Sequence, residues 1–224
     1  MKYFAVIVAG GTGTRMGADI PKQFLLINKK PVLMHTIQAF YNSDIKPEII
    51  LVLNIDFHPY WEKLCKKYDF NIPHNLVKAG KLRFDSVKNG LKYINGSGIV
   101  AVHDAVRPII INQLITNSFF EAEKSGNAVC AVQSTDSVRR QIGNYTESIS
   151  REDVFLIQTP QAFEAGLLRK AYKQPYKVNF TDDASVVESI GVKINLIAGD
   201  LMNIKITYPQ DLTIAEFYLN DIKK

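Results

Sequence analysis

Short, β-branched, apolar runs alternate with amphipathic stretches along almost the whole chain, and that alternation constrains the fold more than any other feature. The runs Tyr3–Ala9, Ile49–Asn54, Leu76–Ala79, Ile99–Val102, Ala128–Val132 and Val192–Ile197 are mostly apolar on both faces. Strands of that kind belong in a parallel sheet covered by helices on both sides. Between them, Pro31 stands at a first helical position, ahead of Val32, His35, Thr36 and Ala39 at helical spacing. Tyr60–Tyr68 and Asp85–Tyr93 read as further helices, and a last one runs from Pro209 to about Ile222. Strand and helix in alternation predict an α/β sheet with helices on both faces. No repeat, low-complexity tract or linker divides the 224 residues, so a single domain over 1–224 is expected.

One stretch breaks the alternation. Residues 133–157 are polar and charged, with Gly143-Asn144 near the middle. A Gly-Asn pair between two short runs, 137–142 and 145–149, predicts a β-hairpin inserted in the domain. Such a hairpin is either a surface loop or an arm that grips a partner.

Several function classes fall away on composition. No apolar run approaches the ~20 residues of a membrane span. The run after Lys2 stops at Gly10-Gly11-Thr12-Gly13-Thr14-Arg15 without a cleavage pattern, so it reads as a buried strand and the expected location is the cytoplasm. Cys65 and Cys130 form no metal or redox spacing and read as reduced packing residues. The 27 basic and 22 acidic residues give a net charge of +5 that is scattered rather than striped. That suits a small anionic ligand and gives no support to nucleic acid. None of the four histidines has metal-ligand spacing.

The loop after the first strand carries the first chemical signal. Ala9-Gly10-Gly11-Thr12-Gly13-Thr14-Arg15-Met16-Gly17 precedes Pro21-Lys22-Gln23. Glycines let backbone N–H groups approach phosphate oxygens closely. No Gly-Lys-Ser/Thr follows, so it is not a P-loop. Met16 stands where the dinucleotide fingerprint needs glycine, and the second strand ends in Asn54 rather than an acid. Phosphate binding without P-loop hydrolysis or hydride transfer is the reading that remains, with Arg15 and Lys22 as fixed positive charge.

That loop resembles the nucleotidyltransferases that build sugar and polyol nucleotides, and above all the cytidylyltransferases acting on 2-C-methyl-D-erythritol 4-phosphate in the non-mevalonate isoprenoid pathway. The resemblance continues in order through Arg83-Phe84-Asp85-Ser86-Val87, Val102-His103-Asp104-Ala105-Val106-Arg107-Pro108 and Gln158-Thr159-Pro160-Gln161-Ala162-Phe163. It ends with Thr181-Asp182-Asp183-Ala184-Ser185 and Asn203-Ile204-Lys205-Ile206-Thr207. It implies a Rossmann-like, mostly parallel sheet of the nucleotide-diphospho-sugar transferase type. It also implies that the hairpin is an arm clasping a second subunit in a homodimer.

By the same resemblance the reaction joins CTP to a polyol phosphate and releases pyrophosphate. Arg15 and Lys22 are implied to stabilise the transition state, and Arg151 and Lys205 to hold the acceptor phosphate for attack. Backbone around Ala9, Gly10, Gly11 and Gly13, then Gly80, Arg83 and the Ser86 hydroxyl, are implied for the nucleotide. Asp104, Arg107, Ser137 and Thr181 are implied for the acceptor. Magnesium is implied as cofactor, bridging triphosphate oxygens rather than held by protein ligands, with Asp104 the one protein candidate. Plainer readings stand beside these. Asp104 can cap a turn, and Thr181 can be the N-cap of the helix before which it stands. Lys205 can be an edge residue; read as a strand, Asn-Ile-Lys-Ile-Thr turns it away from Ile204 and Ile206. His103 is open between packing and function.

Many members of the resembled family carry Ala-Ala-Gly where this chain has Ala9-Gly10-Gly11, an acid or glycine at Lys81, and Thr at Ser137. The rival acceptor is ribitol 5-phosphate, whose enzymes share the opening loop but tend to lack the forms seen at 104–108 and 181–185. An inactive nucleotide-binding scaffold is the reading of another class; it predicts decayed cations, yet Arg15, Lys22, Arg151 and Lys205 are all present.

Overall fold

The apolar runs pair into one sheet with a helical layer on each face. The computed structural model describes residues 1–11 and 20–221. In chain order the elements are β1 (Tyr3–Ala9), β2 (Leu26–Ile27), β3 (Lys30–Pro31), α1 (Val32–Asn42), β4 (Glu48–Leu53), α2 (His58–Lys67), β5 (Asn75–Lys78), α3 (Arg83–Leu91) and β6 (Ile99–Asp104). There follow α4 (Asn112–Ser125), β7 (Asn127–Gln133), β8 (Val138–Ile142), β9 (Tyr145–Ile149), β10 (Phe155–Glu164), α5 (Ala165–Ala171), α6 (Asp183–Glu188), β11 (Leu196–Ala198) and α7 (Pro209–Asp221).

Among the described residues seven strands pair in the order β11-β7-β10-β6-β1-β4-β5. All neighbours are parallel except β10, which runs antiparallel to both β6 and β7. From β1 the chain steps outward through β4 and β5, then returns to lay β6 on the other side of β1. Open α/β sheets bind ligands where the strand order reverses, beyond the carboxyl ends of the strands. Register brings the sequence motifs to that point: Val8 of β1 lies beside Asp104 of β6, and Ala9 beside Leu53 of β4.

Side-chain alternation sorts the strands into two cores. Ala5, Ile7, Ile49, Leu51, Leu53 and Ala101 face α1, α2 and α4, while Phe4, Val6, Ile50, Val52, Val100 and Val102 face α3, α5 and α6. The same parity turns His103 towards Phe40 of α1, with ring centroids 5.0 Å apart. It turns Asp104 to the other layer, where Arg83 begins α3. Gly90 lets α3 settle on the sheet, since a Cβ there would lie 2.8 Å from Val6 Cγ1 and 3.0 Å from Val52 Cγ2.

Four expectations need correction. Val192–Ile197 forms a strand only from Leu196, because Val192 and Ile194 pack against the helix-side core instead of pairing. Residues 133–157 are not all arm: Phe155, Leu156 and Ile157 pair with Gln133, Val132 and Ala131. The long strand β10 was hidden in sequence by Gln158, Thr159, Pro160 and Gln161, and its register shifts between Ile157 and Gln161. Pro31 is the residue before α1, not its first. Asn203–Thr207 is not a strand. The expected hairpin does form: β8 and β9 pair antiparallel about Gly143-Asn144, with Gly143 at φ 56° as such a turn requires. No helix among the described residues is long and apolar enough to cross a membrane. Cys65 and Cys130 are free thiols whose pKa values burial raises to about 11.

Candidate active site

A cleft of ≈ 350 Å³ opens at the reversal point, above β1 and β6. Its walls come from Val8–Gly11 after β1, Gly80–Arg83 and Ser86 at the start of α3, Asp104 and Val106 after β6, Lys22 and Gln23, and Lys205 and Thr207. The site residues expected at Ala9, Gly10, Gly11, Lys22, Gly80, Arg83, Ser86, Asp104 and Lys205 are therefore together. Gly13 and Arg15 lie outside the described residues. Arg107, Ser137, Arg151 and Thr181 do not line this cleft.

The glycine strip is held open by Gln23, a residue whose part in the site is not legible in the sequence. Gln23 Nε2 donates to the carbonyls of Ala9 at 2.8 Å and Gly11 at 3.2 Å. Opposite it, the Ser86 hydroxyl accepts from Gly80 N at 3.1 Å and donates to Leu82 O at 3.0 Å, closing the turn into α3. Gly10 fits this chain's packing: a Cβ there would stand 2.9 Å from Ala79 Cβ and 3.2 Å from Ser86 Oγ. An alanine at that position requires the 79–86 turn to move. Among the described residues, nothing lies within 4 Å of a would-be Cβ at Gly11.

The centre of charge is Asp104. Lys205 Nζ lies 2.9 Å from its Oδ2, Arg107 Nε 3.5 Å from the same oxygen, and Arg83 Nε 3.5 Å from Oδ1. Burial pushes this carboxyl up, but the charges of Arg83, Lys205 and Arg107 outweigh it and hold the group well below the usual carboxylate range. Asp104 is thus a buried anion wrapped in cations rather than a turn cap. Arg107 lies beneath it, buried, with its NH1 donating to the carbonyl of Asn203 at 2.7 Å.

Lys205 reaches Asp104 from an irregular segment, so something other than a strand ladder must hold it. Gln158 clamps the segment at its start: Nε2 donates to Asp200 O at 2.8 Å and Oε1 accepts from Asp200 N at 3.2 Å. Asn203 Nδ2 donates to Thr159 O at 2.8 Å. Ile206 N donates to Val106 O at 2.9 Å, and Lys22 Nζ to Ile206 O at 2.6 Å. Lys22 therefore ties the glycine side of the cleft to the Lys205 side. The signal for Gln158 and Asn203 was a polar residue in an otherwise apolar setting, which sequence alone cannot separate from a surface residue.

Thr181 is exposed and stands one residue too early to be the cap. Asp182 takes that place, its side chain accepting from Ser185 N at 2.9 Å. Arg151 and Ser137 belong to the foot of the hairpin, both exposed, with Arg151 NH1 donating to Thr135 O at 3.2 Å. Among the described residues no group of three or more His, Cys, Asp or Glu gathers as a metal site. Asp104, the one carboxylate on the described cleft wall, is already committed to three cations, which is a poor donor set for a hard divalent ion.

The model of the IspD family, described as 2-C-methyl-D-erythritol 4-phosphate cytidylyltransferase, matches residues 3–221. A protein of that description from Phocaeicola vulgatus is 47% identical over 216 residues, covering 96% of this chain and 99% of the relative. One from Porphyromonas gingivalis is 45% identical over 219 residues, covering 97% and 98%. Among solved structures, the 4-diphosphocytidyl-2C-methyl-D-erythritol synthase of Anaerococcus prevotii superposes with a TM-score of 0.83 at 30% identity, covering 98% of this chain and 96% of that one. The cytidylyltransferase of Thermus thermophilus gives 0.80 at 29% identity, covering 98% and 100%.

Proposed function

This chain belongs to the 2-C-methyl-D-erythritol 4-phosphate cytidylyltransferase family, and from that premise we propose how its cleft joins CTP to the polyol phosphate. The products are 4-diphosphocytidyl-2-C-methyl-D-erythritol and pyrophosphate, an early intermediate of isoprenoid synthesis and its by-product. A phosphate oxygen of the acceptor attacks the α-phosphorus of CTP, and the bond to the bridging oxygen of pyrophosphate breaks. A phosphomonoester has a second pKa of about 6, so the nucleophile is already charged at neutral pH and needs no general base. The obstacle is repulsion between two anions, and the remedy is fixed positive charge at the reacting phosphates. The observation that carries this reading is the joining of Lys22 and Lys205, through Ile206, across a cleft floored by the glycine strip.

The glycine strip and the turn at Gly80–Ser86 hold the nucleotide, with Gln23 keeping the Ala9 and Gly11 carbonyls turned away. Lys22 neutralises charge that builds on the triphosphate, together with Arg15. Lys205, drawn to Asp104, receives the acceptor phosphate. Magnesium, when bound, would supply charge neutralisation at the triphosphate; Asp104, the one carboxylate on the described wall, is committed to three cations and would hold it poorly.

Arg151 and Ser137 enter this reading in trans. Neither lines the described cleft of its own chain, and the hairpin at whose foot they stand pairs with no strand of the seven-stranded sheet. A two-stranded hairpin is marginal alone. Beside it Phe155, Leu156 and Ile157 stand exposed, 46%, 54% and 39%. A second copy of this chain covers both and receives Arg151 and Ser137 at its own cleft. Thr181 is retained for the acceptor on the same family grounds.

Pyrophosphate release tests the reading. CTP with 2-C-methyl-D-erythritol 4-phosphate is expected to turn over, and ribitol 5-phosphate to react far more slowly. No release with the methylerythritol substrate, from folded protein with magnesium present, overturns it.

A further inference from the structure

Behind the cleft wall lies a carboxylate to which the proposed reaction gives no part. Asp183, the first residue of α6, is fully buried. Its Oδ2 accepts from Arg83 NH2 at 2.6 Å and its Oδ1 from the Tyr172 hydroxyl at 2.5 Å. Tyr172 is itself buried, its ring stacked on Phe84 with 4.7 Å between centroids. Capping does not explain Asp183, because Asp182 already caps the helix. Simple packing does not explain it either, since a buried carboxylate is tolerated only with charged or hydrogen-bonding partners.

Its effect is visible in how Arg83 meets Asp104. A guanidinium facing a carboxylate favours a two-pronged contact on both oxygens. Arg83 does not make one: with NH2 drawn to Asp183, it approaches only Oδ1, through Nε at 3.5 Å. The other oxygen stays with Lys205 at 2.9 Å. We propose that Asp183 is a positioning residue for cytidylyl transfer, acting through Arg83: by holding the guanidinium aside it keeps Asp104 available to orient Lys205. Two carboxylates, Asp104 and Asp183, then balance Arg83, Arg107 and Lys205, leaving one positive charge for the acceptor phosphate. The inference rests on the proposed cytidylyl transfer.

The test is a double-mutant cycle on the whole chain. Asp183→Asn keeps the shape, since the amide can accept from Arg83 and donate to Tyr172, but removes the charge. It is expected to lower kcat/KM for methylerythritol phosphate by about tenfold or more, with KM for CTP changed less than about threefold. Arg83→Met removes the guanidinium that Asp183 holds aside, and so supplies the background in which Asp183 has nothing to act through. Adding Asp183→Asn to Arg83→Met should cost little further activity, whereas a merely structural Asp183 would cost as much again, lowering kcat/KM for both substrates alike. Unchanged acceptor kinetics in Asp183→Asn overturns the inference, and so does a failure of Asp183→Asn to fold that persists when Arg83→Met is added. So do additive losses in the double variant. Wild-type enzyme that fails to use the substrate pair instead overturns the proposed function itself.

Discussion

Every polar atom of the His103 ring has a partner, and those partners fix its state. Nε2 lies 3.1 Å from the carbonyl of Arg107, which can only accept, so Nε2 carries the proton. Nδ1 then accepts from the Thr159 hydroxyl at 3.1 Å, and that oxygen accepts in turn from the Asp104 amide at 3.1 Å. His103 is a neutral strut beneath Asp104, which closes the question of packing or function in favour of packing. Burial drives its pKa down to about 4. The unfolded chain takes up that proton nearer pH 6.5, so the stabilisation is full above about 6.5 and is lost as pH falls towards 4. The amount is on the order of 3 kcal/mol. Asp104, held below the usual carboxylate range, adds its own loss only below about pH 4. Urea unfolding of wild type and His103→Gln between about pH 7 and 4.5 is expected to give a flatter pH slope for the variant. Parallel slopes would remove His103 as the cause.

Between a backbone bond at each end, Gly199 N to Ala131 O and Ile206 N to Val106 O, the 199–206 segment is held by side chains instead of a ladder. Gln158 bonds both backbone groups of Asp200, and Gly199 packs so closely that a Cβ would lie 2.6 Å from Gln158 Oε1. Gln158→Ala is expected to free this segment without unfolding the sheet, at a cost of about 1–3 kcal/mol for the buried groups left unpaired. Amide exchange should quicken over 199–206 and turnover should fall about tenfold or more, because Lys205 loses its placement. Native exchange rates with native turnover would show that the clamp is dispensable. Sequence could name Lys205 but not its support. The alternation in Asn203–Thr207 imitates a strand, and the hydrogen bonds that replace pairing come from Gln158, Thr159 and Val106, far away in the chain.

In the assembled molecule, arm and cleft are expected to belong to different subunits at each active site. Lys22→Ala and Arg151→Ala should each be nearly inactive as pure proteins. Mixed and allowed to exchange, half of the dimers should be hybrids. One site in each hybrid then has its own Lys22 and the other subunit's Arg151 intact. Recovery of about a quarter of wild-type activity is expected by that counting, given one broken contact per site in the parents. No recovery after verified subunit exchange would place Arg151 in its own chain's site and refute the trans arrangement.

The sheet's central strands, the two helical layers, the hairpin turn at Gly143-Asn144 and the grouping of the glycine strip with Lys22 were legible along the chain. Each of these is written in local periodicity or local turn chemistry, which a few neighbouring residues suffice to express. Folding in three dimensions was needed to bring β10 into the sheet antiparallel, to turn Asp104 rather than Arg107 to the cleft, and to set Asp183 against Asp104 for Arg83. Those outcomes depend on register between strands and on charges brought together from positions 83, 104, 107, 183 and 205. Local pattern carries no information on such distances, because the contacts exist only once the chain has closed on itself.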